Sequence, residues 1–192
     1  GIALDANTQV TWQYVAPWLP GGASLNTETG WLTWQAAFNQ HGEYRVPVTA
    51  IATFNQQGQQ PFTVSSQQDI VFNVLNANGI PEFLNGNTPW QVVEGQPLRI
   101  NVMAVDPDNP DFEPRIRLSP TAQATGPETT PATVSYQVTG LPTGAVFDSD
   151  TLEVIWTPTY AQAGTYYVNI IATDDVDGTG TPAVSSLTIP IV

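Results

Sequence analysis

A stretch of 28 residues occurs twice in this 192-residue chain, 122 positions apart and without a gap: LPGGASLNTETGWLTWQAAFNQHGEYRV from Leu19 and LPTGAVFDSDTLEVIWTPTYAQAGTYYV from Leu141. Ten positions are identical, among them Pro20/Pro142, Gly22/Gly144, Trp34/Trp156, Gln40/Gln162, Gly42/Gly164 and Tyr44/Tyr166, and the same offset pairs Tyr14 with Tyr136 and Ala50 with Ala172. Two copies of one sequence unit imply two copies of one structural unit. That agrees with the length, since domains commonly hold about 100 to 150 residues.

The unit reads as strands. Gly and Pro punctuate the chain throughout, with 15 and 17 copies, and no segment keeps the apolar spacing of a helix. Short β-branched and aromatic runs stand between the turns: Tyr44–Ile51, Ile70–Leu75, Leu98–Val105, Tyr166–Ala172 and Ser186–Val192. Leu-Pro followed by Gly makes a tight corner, because Pro fixes φ and Gly accepts positive φ. In the next strand Leu32 and Trp34, like Val154 and Trp156, share one face by the period of two, which directs both Trp to the core. Gly-x-Tyr-x-Val opens another strand, where a tyrosine hydroxyl can return to nearby backbone as in a tyrosine corner. The expected class is all-β: two immunoglobulin-like antiparallel β-sandwiches in tandem.

Composition excludes several functions. Seventeen carboxylates face four cations, all arginine, for a net charge of -13, so nucleic acid and anionic membranes are repelled. There is no cysteine and hence neither a disulfide nor a thiolate metal site. No apolar run approaches the roughly 18 residues needed to cross a bilayer. The sole histidine, His41, stands where the other copy has Ala163. Paired carboxylates such as Asp148 and Asp150 could act as a glycosidase pair, yet they read as Asn26 and Glu28 in the first copy. No nucleophile elbow or phosphate loop is present, and no enzyme is expected.

LPTGAVFD, TLEVIWTPTYAQAGTYYV, IATDD and the upstream PEF…VVEGQPLRINVMAVDPDN resemble the Putative Ig-type and dystroglycan-type cadherin-like repeats of large bacterial surface proteins. NVLNANGIPEF is similar to the connection by which such repeats pass from one module to the next. The resemblance implies modules over residues 1–78 and 79–192, joined around Asn76–Pro81 as an extended rod. It also implies an extracellular or cell-surface location and a structural or adhesive spacer role, with neighbouring modules or other protomers as partners.

Charge is uneven between the modules. Residues 80–192 carry 13 carboxylates and three arginines, against four and one in residues 1–79. Asp106, Asp108, Asp111 and Glu113 fall in one loop and Asp174, Asp175 and Asp177 in another, and an immunoglobulin-like sandwich places those loops at one pole. Carboxylates crowded there need solvent or a cation, and Ca²⁺ takes six to eight oxygens. The resemblance implies Ca²⁺ ligands at Asp106 and Asp108 (Asp-x-Asp), at Asp174 (Ala-x-Asp) and at linker residues Asn76 and Asn78, with Asp175, Asp177 and Asp111 as further candidates. Glu94 matches a family Glu-Gly-Gln assigned to the opposite end of a module.

Two further expectations concern the first module. ALDAN at Ala3–Asn7 resembles AVDPDN at Ala104–Asn109, with Ala3 101 positions before Ala104, so the second module holds a 21-residue insertion within about 110–131, carrying Arg115 and Arg117. The first module accordingly lacks one strand and most of another, either by truncation or because another protomer donates them in a fibre. Trp18, Trp31 and Trp90 offer an alternative function, a carbohydrate- or partner-binding face of exposed aromatics, against burial at the junction.

Overall fold

The computed structural model describes residues 8–116, 122–126 and 132–192. Ala3–Asn7, Arg117 and most of the insertion lie outside the described residues. The chain forms two compact units, Gly1–Asn76 and Ala77–Val192. Among the described residues there are β strands and one 3₁₀ turn, Phe38–Gln40, as the sequence pattern predicts.

In the first unit β1 (Gln9–Val15), β4 (Gly42–Asn55) and β5 (Phe62–Val74) form one antiparallel sheet in the order β1-β4-β5. Opposite it stand the short strands β2 (Ser24–Leu25) and β3 (Leu32–Thr33). The second unit repeats this plan with β9 (Ser135–Thr139), β12 (Tyr166–Thr173) and β13 (Val184–Ile191) against β10 (Val146–Asp148) and β11 (Glu153–Trp156). It adds β6 (Glu82–Phe83) paired with β8 (Ala104–Val105), and β7 (Leu98–Asn101) paired with β11. The run Leu98–Val105, expected as one strand, is broken: the Asn101 side chain accepts from the Met103 amide at 3.0 Å and interrupts the ladder.

The shared residues form the same bonds in both units. Trp34 Nε1 and Gln40 Nε2 both donate to the Gly21 carbonyl, at 3.0 and 3.1 Å. Trp156 Nε1 and Gln162 Nε2 both donate to the Thr143 carbonyl, at 3.2 and 2.9 Å. Tyr44 and Tyr166 donate to the Gln40 and Gln162 carbonyls at 3.0 and 3.1 Å, the expected tyrosine corner in both copies. Each Tyr meets its Trp edge-on, with centroids 4.8 and 5.0 Å apart. Gly22 and Gly144 take φ of 81° and 86° at the Leu-Pro-x-Gly corner. The Asp148–Asp150 pair is a turn: the Asp150 amide donates to Asp148 Oδ1 at 3.1 Å, as the Glu28 amide does to Asn26 Oδ1 at 3.0 Å.

The repeat offset does not persist to the end. Tyr166 pairs with Ile191 but Tyr44 pairs with Phe72, so the last strand follows an offset of 119. Phe72 is therefore the counterpart of Ile191, and Ile70 that of Ile189. The first unit continues its ladder to Asn55 and turns through Gln56–Pro61, where the second ends β12 at Thr173 and spends 174–183 on an acidic loop.

Burial separates the units. The second has a core of Leu98, Ile100, Val102, Val154, Trp156, Val168, Ile170, Ile189 and Ile191. In the first only Pro20, Val46 and Ala52 are fully buried apolar residues among those described, and Trp34 is half-buried where Trp156 is 2 % exposed. Trp156→Ala should cost the second unit about 3–5 kcal/mol, the usual loss for a buried aromatic, whereas Trp34→Ala should cost the first unit clearly less. Urea unfolding with resolved transitions checks this, and equal losses would contradict it.

Candidate metal centre

β8 delivers Asp106 to the pole of the second unit. There Asp106 Oδ1 accepts from the Asp108 amide at 2.9 Å, and the Asp106 carbonyl accepts from the Asn109 amide at 3.1 Å. The residue is 2 % exposed, and its Oδ2 is buried with no hydrogen-bond partner among the described residues. Burying a carboxylate oxygen without a donor or a cation is costly, because the oxygen gives up water and receives nothing.

The loop after β12 supplies the opposing groups. Asp174, 6 % exposed, holds that loop closed: its Oδ1 accepts from the amides of Val176 and Ala183 at 2.9 and 3.0 Å and from Asn78 Nδ2 at 3.2 Å. Its Oδ2 accepts from the Ala183 amide at 2.9 Å. Val176 and Asp177 then take positive φ, 79° and 45°. A β-branched residue there is strained by about 1–3 kcal/mol, and the closure that Asp174 provides sustains it. This turn brings one carboxylate oxygen each of Asp175 and Asp177 to Asp106, all three within 4.8 Å of one another.

That spacing suits a hard cation. With Ca–O distances of about 2.3–2.6 Å, oxygens on opposite sides of Ca²⁺ stand about 4.6–5.2 Å apart. The donors are oxygens alone, which selects Ca²⁺ or Mg²⁺ over softer metals. Without a cation the carboxylates oppose one another. Desolvation, followed by the charges of Asp106, Asp108, Asp175 and Asp174, pushes Asp177 up from 3.8 to about 6.

Two other expected ligands, Asp108 and Asn78, make hydrogen bonds within the same unit. Asp108 Oδ2 accepts from the Gly79 amide at 2.7 Å. Asn78 Nδ2 donates to Asp174 and to the Thr181 carbonyl, the latter at 2.9 Å, while Asn78 Oδ1 is buried without a partner among the described residues. Asp111 is exposed and outside the trio, and Asn76 belongs to the first unit. Sequence reasoning ranked Asp175 and Asp177 behind Asp174, whereas the structure clusters the former and commits the latter to its own loop. The Gly178 that follows Val176 and Asp177 was the available signal of a left-handed turn. Of the three tryptophans, Trp18 and Trp31 are 45 % and 73 % exposed, and Trp90 packs on the second unit's core.

The family model described as Putative Ig domain matches residues 2–67 and 101–190. Among solved structures, mouse Cadherin-23 EC22-24 aligns at 19 % identity with a TM-score of 0.43, over 94 % of this chain and 52 % of that one. Human CDH23 EC21-23 aligns at 20 % identity with a TM-score of 0.42, over 95 % and 61 %. Mouse Protocadherin-24 EC1-3 aligns at 15 % identity with a TM-score of 0.41, over 94 % and 58 %. The chain thus spans between half and about three fifths of the length of these relatives. Among curated proteins nothing matches the sequence.

A carboxyl whose pKa is raised on folding favours the folded state below its unfolded value and loses that contribution as pH rises through the folded value. In chelator, the melting temperature of the chain should therefore fall relative to that of Asp177→Asn as pH rises from 3.8 through about 6. Parallel pH profiles for the two proteins would show that Asp177 is not held in this field.

Proposed function

Since the chain belongs to the Putative Ig domain family, matched over residues 2–67 and 101–190, we propose that it is a structural and adhesive spacer of an extracellular or cell-surface protein. The second unit is stiffened by Ca²⁺ at the pole bearing Asp106, Asp175 and Asp177. Asn78, Asp108 and Asp174 frame that site. The observation that carries this reading is the buried Asp106, whose Oδ2 has no hydrogen-bond partner among the described residues, grouped with the carboxylates of Asp175 and Asp177. A cation bound there would join β8 to the loop after β12, two segments otherwise pushed apart by like charge, and so resist their separation.

A spacer needs stiffness and surface more than a reaction centre. Neighbouring modules and other protomers are its partners. No helix of the described residues is long and apolar enough to cross a membrane. The exposed Trp31 supports a second role for the first unit, that of a surface for a partner.

Millimolar Ca²⁺ should raise the melting temperature of the second unit by several degrees over chelator, since a ligand at 100 times its Kd adds about 2.7 kcal/mol. Asp106→Asn should abolish most of the shift. A melting temperature indifferent to Ca²⁺ would remove the calcium reading and leave the spacer role standing on the family alone.

A further inference from the structure

In the second unit the residues of β9, β12 and β13 alternate between core and solvent. Val168, Ile170, Ile189 and Ile191 point inward, and their neighbours form an outer face in three rows: Tyr167 beside Pro190, Asn169 between Thr139 and Thr188, and Ile171 between Gln137 and Ser186. The segment Trp90–Val92 continues this sheet beyond β13, since the Trp90 amide donates to the Pro190 carbonyl at 2.9 Å and the Val92 amide to the Val192 carbonyl at 3.0 Å. Trp90 packs on the core, so Gln91 falls on the outer side. Along this border runs a cleft of 430 Å³ whose lining includes Asn85, Thr88, Trp90 and Gln91.

This surface carries no charge. Residues 83–93, 135–139, 166–173 and 184–192 contain no Asp, Glu, Lys, Arg or His, although residues 80–192 hold 13 carboxylates and three arginines. The first unit is charged at the same place: the counterparts of Thr165, Tyr167 and Thr188 are Glu43, Arg45 and Asp69, and Arg45 Nε pairs with Glu43 at 2.8 Å. In the second unit neutral donors and acceptors take over. Asn169 Oδ1 accepts from Thr188 Oγ1 at 2.8 Å, which leaves the Asn169 Nδ2 as a donor, and the amide of Gln137 offers both kinds of group. Tyr167, 59 % exposed, is steadied from the side, because Gly140, φ 75°, lets the end of β9 come so close that a side chain there would collide with the Tyr167 carbonyl.

We propose that this face binds an uncharged glycan. The Tyr167 ring stacks on the C–H side of one sugar, Asn169, Gln137 and Thr188 exchange hydrogen bonds with the hydroxyls of its neighbours, and the cleft beside Gln91 receives a further residue of the chain. A sugar ring offers an apolar side and a rim of hydroxyls that both donate and accept, which matches an aromatic set among neutral amides and hydroxyls. A protein partner is matched instead by a contiguous apolar centre, which the rows of Asn, Thr, Gln and Ser interrupt. An acidic glycan finds no Lys or Arg on the face and is repelled by a net charge of -13. From Tyr167 to Ile171 the face runs about 13 Å, at about 3.3 Å per residue, which accommodates a short oligosaccharide. A face built on a sheet loses little conformational freedom on binding. The inference deepens the adhesive part of the proposed function and rests on it, whereas the calcium centre is judged separately by its melting shift.

The test is affinity electrophoresis of the full chain through gels containing a β-glucan, a galactomannan or a xylan, with polygalacturonate as the anionic control. Retardation is expected on at least one neutral polymer and not on polygalacturonate. Tyr167→Ala should weaken it at least tenfold and Asn169→Ala several-fold, both with an unchanged calcium-dependent melting shift, while Tyr167→Phe keeps the ring and should keep most of the binding. Arg45→Ala and Trp31→Ala, in the first unit, should bind like the parent chain. No retardation on any neutral polymer, equal retardation on polygalacturonate, or undiminished binding by Tyr167→Ala would overturn the proposal. So would retardation lost with Trp31→Ala, which would move the site to the first unit, or lost once the polysaccharide is treated with protease, which would give the face to a protein. Binding retained in a chain whose melting is indifferent to Ca²⁺ would remove the calcium reading and leave the glycan face in place.

Discussion

One backbone carbonyl in each unit, that of Gly21 and that of Thr143, receives both an indole N–H and a glutamine amide. That oxygen ties the Leu-Pro-x-Gly corner to the strand bearing the Trp and to the turn bearing the Gln. The same Gln presents its carbonyl to the tyrosine that opens the next strand. Four consecutive segments are thereby held by three bonds, each contributing about 1 kcal/mol net. Their distances agree between copies to about 0.2 Å although only ten of 28 aligned positions are identical. Identity is retained at the residues that make these bonds and relaxed between them.

Around this shared frame the units diverge by what covers the core. In the second, the Trp90–Val102 arch places Leu98, Ile100 and Val102 over the Trp and closes the sheet carrying it. Among the described residues of the first, no strand lies over the same frame, and Trp34 makes its hydrogen bond yet stays half-buried. The acidic pole follows from the same divergence. β8 follows the arch, and Asp106 follows β8 at the pole that the loop after β12 shares. Where that loop stands, the first unit has the extended ladder of β4, with Ala52 at the place of Asp174. The acidic loop after β12 is thus a property of the second unit's sequence.

Much of the fold was legible because its signals are local. Alternation, Leu-Pro-x-Gly and Gly-x-Tyr-x-Val each specify backbone within a few residues, and the repeat supplied the equivalence between copies. The shift of the last strand from an offset of 122 to 119 was not legible, because Phe62–Val74 shares no identity pattern with β13 and register is set by the length of the preceding turn. Nor was the break at Asn101, which depends on a side chain competing with the ladder. At the site, sequence brought the two acidic loops together. It did not single out the trio of Asp106, Asp175 and Asp177, because loop closure by Asp174 and the positive φ of Val176 and Asp177 are three-dimensional facts.

That the described residues of the first unit keep this frame while leaving the outer edge of β5 uncovered is tested most directly by native-state amide exchange on the chain of residues 1–192. The amides of Trp90 and Val192, paired with each other's strand, should exchange only through opening of the second unit. The amides of Val71 and Asn73 on the outer edge of β5 should exchange nearly as fast as in an unstructured peptide. Equal protection at the two pairs of sites would contradict the account, because it would mean that a strand already covers the first unit.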